Sequence, residues 1–206
     1  MKRSQMLVLF GVTILVLIIA VMGRLGLFAG SSEPGRPGAG VPAIGGAFTL
    51  TDHTGKAVTD QDFRGRYMLV YFGYTFCPDV CPTSLSAMAA ALDQVPKAVE
   101  AKIVPIFVTV DPARDTQEVL KSYVGNFHPR MVGLTGSEEQ VKDAARKYRV
   151  YFQKAEQGKD AAYLMDHSSI VYLMDPAGQF VSHFSHTTPP EQMAETIAKA
   201  VQSGGL

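Results

Sequence analysis

Two stretches of this chain, YMLVYFGY (67–74) and KIVPIFVTV (102–110), are apolar at almost every position. A strand with one wet face alternates apolar and polar residues, whereas a short apolar run rich in β-branched and aromatic residues is a strand buried on both sides. Helical patterns separate such strands here. PTSLSAMAAALDQV sets Leu85, Met88, Ala89 and Leu92 at helical spacing, so a helix is expected to start close to Cys81, with Pro82 or Thr83 in its first turn. DTQEVLKSYVGNF reads as a helix capped by Asp115 or Thr116, and SEEQVKDAARKY opens with Ser137 and Gln140 in capping-box spacing. MVGLTG and VYFQK read as short strands, and AEQGKDAAY as a loop. AFTLTDHTGKAV reads as an N-terminal hairpin turning at 53–55, and SIVYLMDPAGQFVSHF as a second hairpin turning at 175–178. PPEQMAETIAKAVQ closes the chain as a helix with proline at its start. This order predicts an α/β sandwich with a mixed central sheet.

The chain is long enough, at 206 residues with 47% hydrophobic content, to bury one sizeable core. Ahead of it stands MLVLFGVTILVLIIAVMG (6–23), uncharged and preceded by Lys2 and Arg3. In helical form this run is roughly 27 Å long, close to the hydrocarbon thickness of a bilayer. It exceeds the apolar core of a usual signal peptide, and Arg24 interrupts it before any small-residue cleavage site. We therefore expect an uncleaved anchor rather than cleavage near LFAGSS, with the N-terminus in the cytoplasm and the folded part facing outward. GSSEPGRPGAGVPAIGG (30–46) reads as a flexible Gly/Pro/Ser tether. The expected organisation is thus a tip and anchor at 1–29, a linker at 30–46, and one domain at 47–206. That domain carries a small net negative charge and no cluster of Lys and Arg interleaved with aromatics, so nucleic acid is excluded as a partner.

The two cysteines of the chain, Cys77 and Cys81, lie in YFGYTFCPDVCPTSLS between the first buried strand and its helix. Residues four apart on a helix, or across a loop entering one, share a face, so two thiolates so placed can converge on one ion. Thiolates select Cu(I), Zn or iron–sulfur clusters, and a helix N-terminus lowers a thiol pKa. Two sulfurs do not complete such a site. Of the five histidines, His53, His128, His183 and His186 have polar, loop or strand-end settings. His167 differs, lying in MDHSSIVYL just before a buried strand and beside Asp166, a carboxylate able to orient its imidazole.

The order of elements looks like a thioredoxin-type fold with insertions. The anchor, YMLVYFGYTFCPDVCPTSL, VTVDPARDT and DHSSIVYLMDPAGQF together resemble the Sco (SenC-like) copper proteins of mitochondrial inner and bacterial plasma membranes. The resemblance implies a thioredoxin-like fold and one copper ion, Cu(I) or Cu(II), bound by Cys77, Cys81 and His167. It also implies delivery of copper to the binuclear copper site of cytochrome c oxidase subunit II, or maintenance of that site's thiols. The implied partners are that subunit or its assembly factors, a copper donor and a thiol reductant. The implied location is the plasma (inner) membrane with the domain on the periplasmic side, or the mitochondrial inner membrane in a eukaryote. One departure is Gln117, where family members often have proline.

Other readings stay open on the residues alone. The cysteines can form a structural disulfide, which would close only a short loop, and Cys₂His with an open position is also a zinc arrangement. A membrane-tethered thiol–disulfide reductase is the enzyme alternative, although such reductases usually place two residues between the cysteines and a proline opening the facing strand. A copper or redox sensor would use the same ligands. Asp79, between the cysteines, is a candidate to tune the thiols or meet a partner. Met165 reads as core packing rather than a thioether ligand, and Asp111 and Asp115 as shaping a turn. Phe72, Tyr74 and Phe76, alternating into the box, read as packing and as a wall around the site.

Overall fold

Both apolar runs form central strands with every residue buried, β3 (Tyr67–Gly73) and β4 (Ile103–Thr109), paired in parallel from Tyr67↔Ile103 to Gly73↔Thr109. The structure is a computed structural model describing Val21, residues 43–155 and residues 163–204. The described residues from 43 onward belong to one compact unit, Pro42–Leu206. Among the described residues no helix is long and apolar enough to cross a membrane. The expected anchor at 6–23, Val21 apart, and most of the tether lie outside the described residues, as does 156–162 of the expected loop.

The N-terminal hairpin is β1 (Thr49–Asp52) and β2 (Ala57–Thr59), antiparallel, followed by a 3-10 turn at Asp60–Phe63. Beyond β3 comes α1 (Val80–Gln94), then a short α2 (Lys97–Glu100) that sequence periodicity did not reveal. After β4 follow α3 (Gln117–Gly125), β5 (Val132–Thr135), α4 (Glu138–Lys147), β6 (Phe152–Lys154) and β7 (Met165–His167). β8 (Ile170–Met174), β9 (Phe180–Ser185) and α5 (Pro190–Ser203) complete the chain. The main sheet runs β2-β1-β5-β4-β3-β8-β9, with β6 and β7 forming a separate antiparallel pair. Since β3–β4–β5 are parallel and the remaining neighbours antiparallel, the sheet is mixed, as expected.

Local signals decide the ends. Ser137 and Gln140 close the expected capping box on α4, and Thr116, rather than Asp115, caps α3 by accepting from Val119 N. The β8–β9 turn closes through Asp175 N to Gln179 O and Gly178 N to Asp175 O, both 2.8 Å. Alternation along β3 presents two faces. Phe72 meets Tyr148 at the end of α4 (5.2 Å between centroids), while Tyr71 faces Phe107 and His167. Leu85, Met88 and Leu92 of α1 are fully buried, each adding roughly 1.5–3 kcal/mol by leaving water. Helix α5 packs on α1, and Tyr67 OH donates to Ala200 O at 2.9 Å, tying the start of β3 to α5.

Candidate metal centre

Parallel strands β3 and β4 end at the same edge of the sheet, and Val110 N continues the ladder to Gly73 O at 2.7 Å. Because β8 runs antiparallel to β3, with Tyr71 opposite Val171, its first residues lie at that same edge. The chain thus delivers the end of β7 and the start of α1 to one place. In α/β sheets the carboxyl ends of parallel strands are where ligands bind.

Cys77 lies in the loop leaving β3, its N–H donating to Tyr74 O (3.3 Å), and is half-buried. Cys81 is the second residue of α1 and wholly buried. Its backbone N–H donates to Cys77 Sγ at 3.4 Å, so a helix N-terminal amide points at the first sulfur. Close packing behind Cys81 requires a glycine at 73, because a Cβ there would stand 2.8 Å from Cys81 Sγ and 3.0 Å from Phe107. His167 Nε2 lies 3.3 Å from Cys81 Sγ. The donor atoms of Cys77, Cys81 and His167 all fall within 4.8 Å of one another. Two bonds of ~2.3 Å drawn out through one ion span ~4.6 Å, so the three atoms fit a single soft metal with little adjustment. Both cysteines are free thiols.

His167 Nδ1 is 3.2 Å from Ser168 O. A carbonyl only accepts, so Nδ1 carries the proton and Nε2 keeps its lone pair for the metal side. That role was expected of Asp166. Instead Asp166 is exposed, its neighbouring position on β7 turns it to the opposite face, and among the described residues no hydrogen bond joins it to His167. His167 itself ends a short strand paired with Phe152, where a loop was expected. Its ring stands edge-on between Tyr74 (5.7 Å) and Tyr71 (6.1 Å).

The thiols are electrostatically unequal. The hydrogen bond with the Cys81 side chain is the largest influence on Cys77, and with His167 and the backbone N–H groups of Asp79 and Cys81 it holds that thiol well below its usual range, against the opposing effect of burial. The same shared bond, and then burial, push Cys81 the other way. The pair therefore gives up its first proton readily and its second reluctantly.

The other candidates sort cleanly. Asp79 is exposed, and its carboxylate faces the Thr83 hydroxyl (3.4 Å) and not a sulfur, so its backbone N–H is what bears on Cys77. Met165 is buried in the core. His53 Nδ1 accepts from Gly133 N and His128 Nδ1 from Arg130 N, while His183 and His186 are exposed. Of the expected aromatic wall only Tyr74 flanks the ligands. Phe72 turns to the far face of the sheet, and Phe76 is 56% exposed beside Cys77. The sequence reading missed Tyr71, whose OH donates to Cys81 Sγ at 3.8 Å. Its only signal was parity: in β3 it shares a face with Gly73, the residue that makes room for the sulfur.

The VDPARDT turn joins the two halves of the site. Wholly buried Asp115 accepts from Thr75 N (3.0 Å), Thr75 Oγ1 (2.6 Å) and Thr109 Oγ1 (2.5 Å), clamping the loop two residues before Cys77. Asp111 accepts from the Tyr163 hydroxyl at 2.7 Å and pairs with Arg114. The Arg114 guanidinium lies over Tyr163 (3.7 Å) and Phe76 (4.9 Å), linking the segment that enters β7 to the loop of Cys77. Exposed Phe76 adjoins Cys77 in the chain, and exposed Tyr151 is tied to Ser168, the residue after His167, by Ser168 N donating to Tyr151 O at 3.0 Å and Tyr151 N donating to Ser168 Oγ at 3.1 Å.

Comparison with known proteins agrees with this architecture. The chain is 48% identical over 160 residues to protein sco1 of Schizosaccharomyces pombe and 42% identical over 160 residues to the mitochondrial SCO1 homolog of Homo sapiens. Each alignment takes in 77% of this chain, and the chain spans 61% and 53% of those two relatives. Among solved structures, copper-bound ScoI of Arabidopsis thaliana is 42% identical, with a TM-score of 0.74 over 78% of this chain and 99% of that one. Copper-bound ScoI of Bradyrhizobium japonicum is 44% identical, with a TM-score of 0.70 over 76% and 99%. The SCO1/SenC family description matches residues 37–202, a span containing both cysteines, the VDPARDT turn and His167, and the chain belongs to that family.

Proposed function

We propose that this protein is a copper-binding metallochaperone, holding one copper ion on Cys77, Cys81 and His167 and passing it to a site in cytochrome c oxidase. The observation that carries the reading is the convergence of two sulfurs and one imidazole nitrogen within 4.8 Å. That donor set is soft, three-coordinate and open on the side of half-buried Cys77. An open position suits transfer over storage, because an incoming thiolate can join the ion before the outgoing one leaves. The copper-bound relatives of the same fold support copper over zinc.

The receiving site in this reading is the binuclear copper site of subunit II, and the domain is held at the membrane by the apolar run 6–23, facing the periplasm or the mitochondrial intermembrane space. A copper donor recharges the thiols, and a reductant keeps them reduced. Asp79 and Asp166, both exposed beside the ligands, contribute in this reading to the surface that meets partners. A thiol–disulfide reductase acting on the same subunit is the second reading, favoured by one observation: Cys77 is the more accessible sulfur and the one whose thiol is lowered, as an attacking thiolate requires.

The test is an anaerobic Cu(I) titration of the reduced chain against a competing chelator, with Cys77→Ala and His167→Ala alongside. Tight one-to-one binding that collapses in both variants is expected. Binding that His167→Ala leaves unchanged would refute the ligand set and bring the reductase reading forward.

A further inference from the structure

Tyr71 and Tyr148 are the largest fully buried side chains among the described residues, and Tyr71 is a tyrosine where phenylalanine would fill the same space. A phenol hydroxyl removed from water costs free energy unless it finds a partner, which is why buried tyrosines are normally hydrogen-bonded. The partner here is a metal-site sulfur. Tyr71 OH donates to Cys81 Sγ at 3.8 Å, reaching it across the space left by Gly73. Two further contacts fix the ring: it stacks on Phe107 at 6.4 Å and meets the His167 imidazole edge-on at 6.1 Å. Ser84, one turn along α1 from Cys81, and Ser169, two residues past His167, also bear on the Tyr71 hydroxyl and oppose the effect of its burial, so the surroundings of that sulfur are polar.

We propose that Tyr71 is a positioning and tuning residue of the copper site, its hydroxyl donating to the Cys81 thiolate so as to hold that sulfur beside His167 and to bias the bound ion toward Cu(I). This rests on the Cys77–Cys81–His167 copper reading. The physical reason is electron density. A hydrogen bond to a thiolate draws density away from sulfur, and Cu(II) depends on that density more than Cu(I) does. Losing the bond should therefore weaken Cu(I) relative to Cu(II). Hydrogen bonds to charged acceptors are the stronger class, so the expected change in the Cu(I)/Cu(II) affinity ratio is roughly five- to tenfold. A tenfold change corresponds to about 59 mV in a one-electron couple.

The experiment compares the wild-type chain with Tyr71→Phe, which removes one oxygen and keeps both ring contacts, and with Tyr172→Phe, a buried tyrosine of β8 whose ring packs on Tyr148. Each is loaded with copper, and the sulfur-to-Cu(II) charge-transfer band, the Cu(II)/Cu(I) potential and the Cu(I) affinity are read. Tyr71→Phe should bind one copper with a red-shifted band and a lowered potential, and Tyr172→Phe should match wild type. Placing 2,3-difluorotyrosine at position 71 supplies a stronger donor, so band and potential should move the opposite way. That readout also stands if Tyr71→Phe fails to fold. Wild-type copper binding through the three ligands, with band and potential unmoved by either change at 71, would overturn this proposal alone. A wild-type chain that does not bind copper would overturn the ligand reading and this proposal together.

Discussion

At the residue scale the two thiols differ in access and in charge. Cys77 is half-buried and its thiol is held low, first by its hydrogen bond with Cys81, whereas Cys81 is wholly buried and pushed up. An ordinary thiol loses reactivity about tenfold per pH unit below ~8.5 as its thiolate disappears. Cys77 should remain alkylatable by iodoacetamide well below that, with mass spectrometry finding the label on Cys77 and not on Cys81. Equal labelling of both, or a midpoint at the ordinary thiol value, would show that the asymmetry is absent in solution. The sign for stability follows from the same shift. A group whose folded pKa is depressed adds stability above its unfolded pKa, and loses that contribution as pH falls through the folded value.

Among the elements, the turn VDPARDT matters most. Sequence spacing offered Asp115 and Thr116 equally as the cap of α3, and the structure divides the work: Thr116 caps, which frees Asp115 to take both hydrogen bonds of Thr75 and one of Thr109. A buried carboxylate with three donors holds a loop more firmly than a cap holds a helix end. Asp115→Ala should cost roughly 2–4 kcal/mol in urea unfolding, since three donors lose their acceptor inside the protein. It should also weaken Cu(I) binding, because the Thr75–Cys77 segment loses its anchor. Asp115→Asn keeps the shape and an acceptor oxygen, and should recover part of both losses. If Asp115→Ala lowers stability but leaves Cu(I) affinity at the wild-type value, the clamp does not set the ligand loop.

For the molecule as a whole, the site joins two segments that are distant along the chain and carry no disulfide between them. Cys81 and His167 are 86 residues apart, and they become neighbours because β8, which follows β7 directly, pairs with β3, which leads into the loop before α1. An ion bound to both cross-links the ends of β7 and α1. Ligand that binds only the folded state stabilises by RT ln(1 + [L]/Kd), about 2.7 kcal/mol at one hundred times Kd. Calorimetry of the reduced chain should therefore show a Tm that climbs with free Cu(I) for wild type and stays nearly flat for His167→Ala. A climb of equal size in both would place the copper elsewhere.

Much of this architecture was legible in the residues. Apolar runs without alternation marked β3 and β4, Ser137 and Gln140 marked the start of α4, and CPDVCP placed two thiols where a helix begins, because periodicity, capping and loop spacing are local properties. His167 stood out for its neighbours, and DHSS with CPDVCP pointed to a family. Its orientation was not legible: Asp166 was expected to hold the ring, but strand alternation sends that carboxylate outward and Ser168 O accepts from Nδ1. Nor was Tyr71, whose meaning depends on the face of β3 turned toward Cys81 and on a glycine two residues on that lets the sulfur approach. The amino-acid sequence by itself determined most of the elements, though not α2 or β7, together with the donor types and the pair of cysteines. Tertiary structure alone decided which distant groups meet them, since contacts across a sheet follow strand order and register, which long-range packing selects and no local pattern encodes.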